Sequence, residues 1–284
     1  MTGRDPRALL REAGLRPKKS LGQNFLVAEP IARAIASACV RDEEVGRARV
    51  VEIGAGTGVL TRLLAERARA LVAIERDRDL VALLDGEIVG ARARVLEADA
   101  RTVDIAALLG AADPASPRVL CGNLPYAITG PLLRSAVHHA SGLERVVFMV
   151  QDEVARRLLA VPGTKEWGAL TIFVTAAFEV RRLLRAPPGA FHPRPEVTSA
   201  VVELNPLRPP RAVETEHFRA LVRRAFEARR KTLRNAWAGL TQDSVALERA
   251  AACAAISLDA RGETLEVESF ARMAAALDQL SARP

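Results

Sequence analysis

Short, mostly apolar runs recur along the first 205 residues, at Arg49–Ile53, Leu71–Glu75, Arg94–Glu97, Val119–Gly122, Val146–Val150, Glu179–Leu184 and Ala200–Leu204. Several are apolar almost without interruption and rich in Val, Ile and Leu, which predicts strands covered on both faces. The stretches between them change period. Leu60, Leu63 and Leu64 fall on one face of a helix, as do Leu80, Leu83, Leu84 and Ile88. Strand–helix alternation predicts an α/β fold with a mostly parallel sheet and right-handed crossovers. The last two strands have no helical stretch between them, so an antiparallel edge is expected there.

Asn205-Pro206-Leu207-Arg208-Pro209-Pro210 breaks the pattern with stiff backbone. Beyond it the strand signal ends. Phe218, Leu221, Val222, Ala225 and Phe226 keep helical spacing, Leu233 and Trp237 extend it, and two or three further helices are expected through Leu280. The expected organisation is therefore residues 1–205 as an α/β domain, opened by a basic arm over 1–19, and 206–284 as a smaller all-helical domain. No repeat or low-complexity tract is seen.

Composition narrows the class. The chain has 284 residues, 49% hydrophobic and 26% charged, which is enough apolar surface for a substantial core and excludes disorder as the main state. No charge-free apolar stretch of about 18 residues predicts a membrane span, and the first twenty residues do not read as a secretory signal. Three well-separated cysteines and four histidines predict neither a disulfide framework nor a metal site, and fit a reducing cytoplasm.

Charge becomes informative once it is located. Residues 1–19 carry six basic side chains against Asp5 and Glu12, and residues 219–234 carry seven against Glu227. Those excesses, +4 and +6, outweigh the whole-chain +7, leaving the remainder at −3. Two basic concentrations on an otherwise acidic chain point to a polyanionic partner, nucleic acid above all. Arg219, Arg223, Arg230 and Arg234 would form one stripe if the helix were continuous; a break near Ala228 would split it.

Candidate chemistry sits at successive strand ends. Glu52-Ile53-Gly54-Ala55-Gly56-Thr57-Gly58 closes the first strand and opens a helix, and glycines there let a ligand approach the backbone. The third glycine is one position early for a dinucleotide fingerprint, and Glu52 is foreign to that pattern. The run resembles instead the E-x-G-x-G-x-G turn of S-adenosylmethionine-dependent methyltransferases. Glu75 ends the second strand, where a carboxylate can accept both hydroxyls of a ribose. Asp99 follows the third, where it can accept from an adenine amine or cap a helix. The fourth strand ends in Asn123-Leu124-Pro125-Tyr126. That run resembles the polar-x-Pro-aromatic tetrad of amino methyltransferases acting on adenine, cytosine or glutamine; for an adenine N6, an amide oxygen and a carbonyl that each accept one hydrogen make the nitrogen more tetrahedral, freeing its lone pair. They also stabilise the positive charge that develops there. Tyr126 offers a flat face for an extruded base.

Taken together the chain resembles the small-subunit (16S) rRNA adenine N6,N6-dimethyltransferases, over nearly its whole length. Leu21-Gly22-Gln23-Asn24-Phe25-Leu26, Phe191-His192-Pro193-Arg194-Pro195-Glu196-Val197-Thr198-Ser199-Ala200-Val201, Arg229-Arg230-Lys231-Thr232-Leu233-Arg234-Asn235 and Arg261 to Phe270 match segments of that family. The resemblance implies a Rossmann-like methyltransferase sheet that binds S-adenosylmethionine through Asn24, Leu26, Gly54, Glu75, Asp99 and Asn123. It implies a catalytic tetrad Asn123, Leu124, Pro125 and Tyr126, with Phe191 packing on the target base opposite Tyr126. Arg223, Arg229, Arg230, Lys231 and Arg234 are expected to hold RNA. The implied partner is 16S rRNA in an immature small ribosomal subunit, methylated by a cytoplasmic monomer with no metal. Two other readings stay open at this point. Relatives that dimethylate large-subunit rRNA share the Gln23–Leu26 run and the proline loop but generally lack the Arg229–Asn235 run, and a non-catalytic nucleic-acid-binding module could keep the fold.

Overall fold

The structure is a computed structural model and describes residues 5–87, 92–111, 113–241 and 244–281. Among the described residues seven strands form one sheet: β1 (Arg49–Ile53), β2 (Ala70–Glu75), β3 (Ala93–Glu97), β4 (Arg118–Asn123), β5 (Arg145–Gln151), β6 (Phe178–Ala186) and β7 (Ser199–Pro206). Their order across the sheet is β3-β2-β1-β4-β5-β7-β6. β1 to β5 are parallel, and β7 runs antiparallel to β5. The last two strands thus lie together at the edge, as expected, with β6 outermost.

Every predicted strand is present, with ends within two residues of those read from the apolar runs. The reason is burial: Val119 to Cys121 and Val146 to Val150 are 1% exposed or less, so these stretches can tolerate hardly any polar residue. Order β3-β2-β1-β4 reverses direction at β1/β4. The crevice beyond the carboxyl ends of those two strands is where ligands bind in open α/β sheets. Helices Glu29–Cys39 and Val59–Arg67 cover one face, burying Ala32, Ile35, Leu60 and Leu64 with Val50, Cys121, Val147 and Met149. Ile88, expected on the face of Leu80 and Leu84, lies outside the described residues.

The opposite edge of the sheet carries a buried charge network. Arg145, which starts β5 and is 1% exposed, donates to both oxygens of Glu44 at 2.6 and 2.7 Å and to the Cys39 carbonyl at 3.1 Å. Glu203, also 1% exposed, lies 3.9 Å from Arg145 Nε and pairs with Arg41 and Arg181.

The chain divides into two compact units. One takes the described residues through Ala155 together with Val180–Pro206; the other takes Arg156–Glu179 and the described residues from Leu207 onward. The junction after Pro206 lies in the proline-rich stretch, and residues 156–179, inside the span expected to form the first domain, group with the second unit. Helix Ala169–Ala177 within them buries Ile172, Phe173 and Ala176 against Phe218, Trp237 and Phe270 of the second unit. An apolar segment joins the core that completes it, whatever its place in the chain.

The second unit corrects another expectation. The helix opening at Glu216 is capped by Thr215, whose hydroxyl accepts the Phe218 N–H at 3.2 Å, and it ends at Glu227. A turn follows, and a short helix, Leu233–Ala236, begins anew. The Leu233 and Arg234 amides donate to the Ala260 and Leu258 carbonyls, both at 2.8 Å, so bonds to a distant segment replace the bonds of a continuous helix. Four arginines on one stripe are therefore not formed. Among the described residues no helix is long and apolar enough to cross a membrane, and no group of three or more His, Cys, Asp or Glu is placed to hold a metal ion.

Candidate active site

The carboxyl ends of β1, β2 and β4 surround a cavity of about 280 Å³, closed on another side by Lys19 to Phe25. Asn24, Gly54, Glu75, Asp99, Asn123, Leu124, Pro125 and Tyr126 all line it. A smaller cavity of about 40 Å³ adjoins the glycine turn, bounded by Glu52, Gly54 to Thr57, Leu26 and Asn123 among others.

Two glycines give the turn its shape. Gly54 has φ 75°, and a Cβ there would lie 3.2 Å from the Asn123 carbonyl oxygen; Gly56 has φ 58°, and its Cβ would meet the Phe25 ring at 3.0 Å. Both positions need the left-handed region and have no room for a side chain. The Gly56 N–H then donates to Glu75 Oε2 at 2.9 Å. Glu75 Oε1 accepts the Arg76 and Asp77 N–H groups at 2.8 and 2.9 Å. Three backbone donors set the direction of this carboxylate and leave about one of its four lone-pair sites, on Oε2, for a ligand.

Asp99 is held differently. Arg101 grips it through its backbone N–H at 3.0 Å and its guanidinium at 2.5–3.2 Å, and those bonds hold the Asp99 carboxyl down at about 2. It therefore carries full charge, shared with Arg101, at the cavity wall.

Glu52 has no such partner. It is 1% exposed, its Oε2 makes no hydrogen bond, and burial pushes its carboxyl up to about 8. Thr61 and Arg62 pull the other way, and the charge on Glu75 adds to the rise. The sequence pattern placed Glu52 at the head of the E-x-G-x-G-x-G turn but assigned it no ligand contact. A buried carboxyl oxygen without a hydrogen bond, beside a small cavity, is what a ligand cation would satisfy.

The tetrad sits where β4 leaves the sheet. Asn123 Nδ2 donates to the Asn24 carbonyl at 3.0 Å, which turns Oδ1 away as the free acceptor. Leu124 is anchored by its N–H to the Met149 carbonyl at 3.0 Å, with its side chain buried. Pro125 leads into a single tight turn, Tyr126–Ile128, and the Tyr126 hydroxyl lies 2.9 Å from Ser199 Oγ.

The segment closing the cavity is latched at Asp77. Lys18 Nζ reaches Asp77 Oδ1 at 2.5 Å and Asp79 Oδ2 at 2.7 Å, and Gln23 Nε2 reaches Asp77 Oδ2 at 2.7 Å. Burial alone would raise the Asp77 carboxyl, but hydrogen bonds from Lys18 and Gln23 hold it below the ordinary carboxylate range. Nothing in the one-dimensional pattern pairs residues nearly sixty positions apart.

Two expected site residues lie elsewhere. Phe191 is 3% exposed and lines neither cavity. It pairs with Leu26 in a two-residue antiparallel ribbon, Phe25–Leu26 with Phe191–His192, and packs with Ile35, Val201 and their neighbours. A ring so enclosed anchors the proline-rich loop and has no free face for a base. Leu26 borders the smaller cavity, not the larger.

The basic residues of the second unit also separate. Arg229 donates to Glu263 at 2.8 Å and the Thr164 carbonyl at 3.1 Å, and Arg234 pairs with Glu248 at 2.8 Å. Arg223, Arg230 and Lys231 are exposed, with no ion pair seen among the described residues.

The family described as Ribosomal RNA adenine dimethylase matches residues 14–279. The chain is 42% identical over 262 residues to a protein named Ribosomal RNA small subunit methyltransferase A from Desulfitobacterium hafniense (strain DSM 10664 / DCB-2), covering 91% of each. It is 43% identical over 277 residues to one of the same name from Anaeromyxobacter sp. (strain K), covering 94% of this chain and 96% of the relative. Among solved structures it is similar to 23S rRNA methyltransferase ErmE, with a TM-score of 0.64 and 26% identity over 90% of this chain and all of that one. A dimethyladenosine transferase from Plasmodium falciparum shares the fold at a TM-score of 0.74, with 23% identity over 90% of this chain and 98% of that one.

Proposed function

This chain belongs to the ribosomal RNA adenine dimethylase family, and we propose that it methylates N6 of two adjacent adenines near the 3′ end of 16S rRNA, twice each, in an immature small subunit in the cytoplasm. The observation that carries this reading is Asn123 at the mouth of β4: its amide nitrogen is taken by Asn24, and its oxygen is the acceptor left for a substrate amine. Relatives named for the small subunit share 42–43% of positions, against 26% for the 23S enzyme, which favours the small-subunit target.

The residues present fit S-adenosylmethionine. Bound, it supplies a methyl group made electrophilic by a sulfonium. Gly54 and Gly56, which line the larger cavity, have no side chain to exclude the amino-acid end, and Glu52 offers its ammonium a carboxyl oxygen that lacks a hydrogen bond. Glu75 accepts from one ribose hydroxyl at the site left on Oε2. Asp99, shared with Arg101, accepts from the adenine amine. On the substrate side, Asn123 Oδ1 and the Leu124 carbonyl take the two N6 hydrogens and stabilise the charge that grows on that nitrogen. Tyr126 stacks the extruded base. No side chain needs to act as a strong base, because the methylated ammonium is itself acidic. Arg223, Arg230 and Lys231, with the basic N-terminal segment, meet RNA phosphates; Arg229 and Arg234 serve them less directly, being engaged within the protein.

The test is to incubate the protein with labelled S-adenosylmethionine and immature small subunits and to map the modified nucleosides. Label in two neighbouring dimethyladenosines near the 3′ end is expected. Label in large-subunit RNA, or none, would overturn the assignment.

A further inference from the structure

We propose that Ser199 is a positioning residue for methyl transfer, its hydroxyl holding the Tyr126 ring at the angle on which the target adenine stacks. This rests on the reading of Tyr126 as the stacking platform.

Ser199 lines neither cavity and is fully buried at the start of β7. Its backbone is held on both sides. It pairs in register with Gln151 of β5, and the Thr198 carbonyl before it accepts the Asp152 N–H at 2.9 Å. Its backbone is therefore a fixed point, and 2.9 Å from its Oγ stands the Tyr126 hydroxyl.

Tyr126 needs such a point. The turn it opens, closed by the Ile128 N–H on the Pro125 carbonyl at 3.1 Å, fixes its backbone. The half-buried ring still has two side-chain torsions. Its hydroxyl lies on the χ2 axis but swings with χ1, so one hydrogen bond at the far end of the ring fixes χ1 and with it where the ring stands. Stacking alone does not call for a hydroxyl, since phenylalanine presents the same face. The chain has eight phenylalanines and one tyrosine, and that tyrosine is the one bonded to Ser199.

A single tyrosine also makes the proposal measurable. Carbon-13 at the ring Cζ gives one resonance, sensitive to the hydroxyl's hydrogen bond, and Ser199→Ala is expected to shift it. Ser199→Ala and Tyr126→Phe are each expected to slow single-turnover methylation about two- to tenfold, the worth of one hydrogen bond. Affinity for S-adenosylmethionine should stay unchanged. Combined, they should be no slower than either alone, because both delete one interaction, and Ser199→Thr should restore the rate. Additive losses overturn the proposal, as does a Ser199→Ala protein that melts earlier yet methylates at the wild-type rate. Tyr126→Ala separates the two readings: an active variant removes the platform and this proposal with it, while an inactive one beside additive single losses removes only the role of Ser199.

Discussion

Replacing Glu52 with Gln isolates the electrostatic cost of the glycine turn. The carboxyl is 1% exposed, one oxygen lacks a hydrogen bond, and burial pushes it up to about 8 from an ordinary 4.5. Between those values the unfolded chain has lost a proton that the folded chain keeps. Stability therefore falls as pH rises: the contribution is complete below 4.5 and gone above 8. At about 1.36 kcal/mol per pH unit the whole window is worth at most ~5 kcal/mol, of which ~3 is spent by pH 7. The Gln side chain does not titrate. Glu52→Gln should thus gain on the wild type steadily from pH 5 to 8. Both tryptophans, Trp167 and Trp237, belong to the second unit, so their fluorescence would follow the wrong part of the chain. Urea unfolding should instead be followed by hydrogen exchange of the Arg49–Ile53 segment, corrected for intrinsic exchange at each pH. Parallel stability curves for the two proteins would refute the reasoning. Saturating S-adenosylmethionine should flatten the wild-type curve, since its ammonium gives the charged carboxylate a partner.

Asn123→Ala should cut the single-turnover rate about 100-fold or more, the usual cost of one transition-state hydrogen-bond partner, while cofactor affinity by calorimetry stays within a few-fold; an equal loss in both would place Asn123 in binding alone. Arg230→Gln with Lys231→Gln should lower the slope of log affinity for pre-ribosomal subunits against log salt by about 0.7–0.9 per lost phosphate contact, and unchanged slopes would make them a solvated surface. Arg145→Ala strands the buried Glu44 carboxylate, so urea unfolding should show a loss of about 3–5 kcal/mol with cofactor affinity of the folded protein intact. A loss under 1 kcal/mol would mean that water reaches that edge.

Local pattern sufficed wherever one residue's environment follows from its neighbours. A strand such as Val146–Val150, buried on both faces, must be apolar throughout, so it can be read from five consecutive letters. Gly54 and Gly56 announce themselves because their positive φ and tight surroundings would strain any other residue. That Glu75, Asp99 and Asn123 line one cavity is legible because each stands at or just past a strand end, and parallel strands bring those ends to one edge. What depended on distant partners was illegible. Helix Ala169–Ala177 is apolar in any domain, and only its packing with Phe218, Trp237 and Phe270 assigns it to the second unit. The helix expected to run through Ala228 stops because amides near Leu233 bond to carbonyls at Leu258 and Ala260. Phe191 has the same letters around it whether it faces a base or a core, and its pairing with Leu26 sends it to the core. Periodicity records which face of an element is buried; it carries no record of what covers that face, because the covering residues are chosen by chain topology and closure in space.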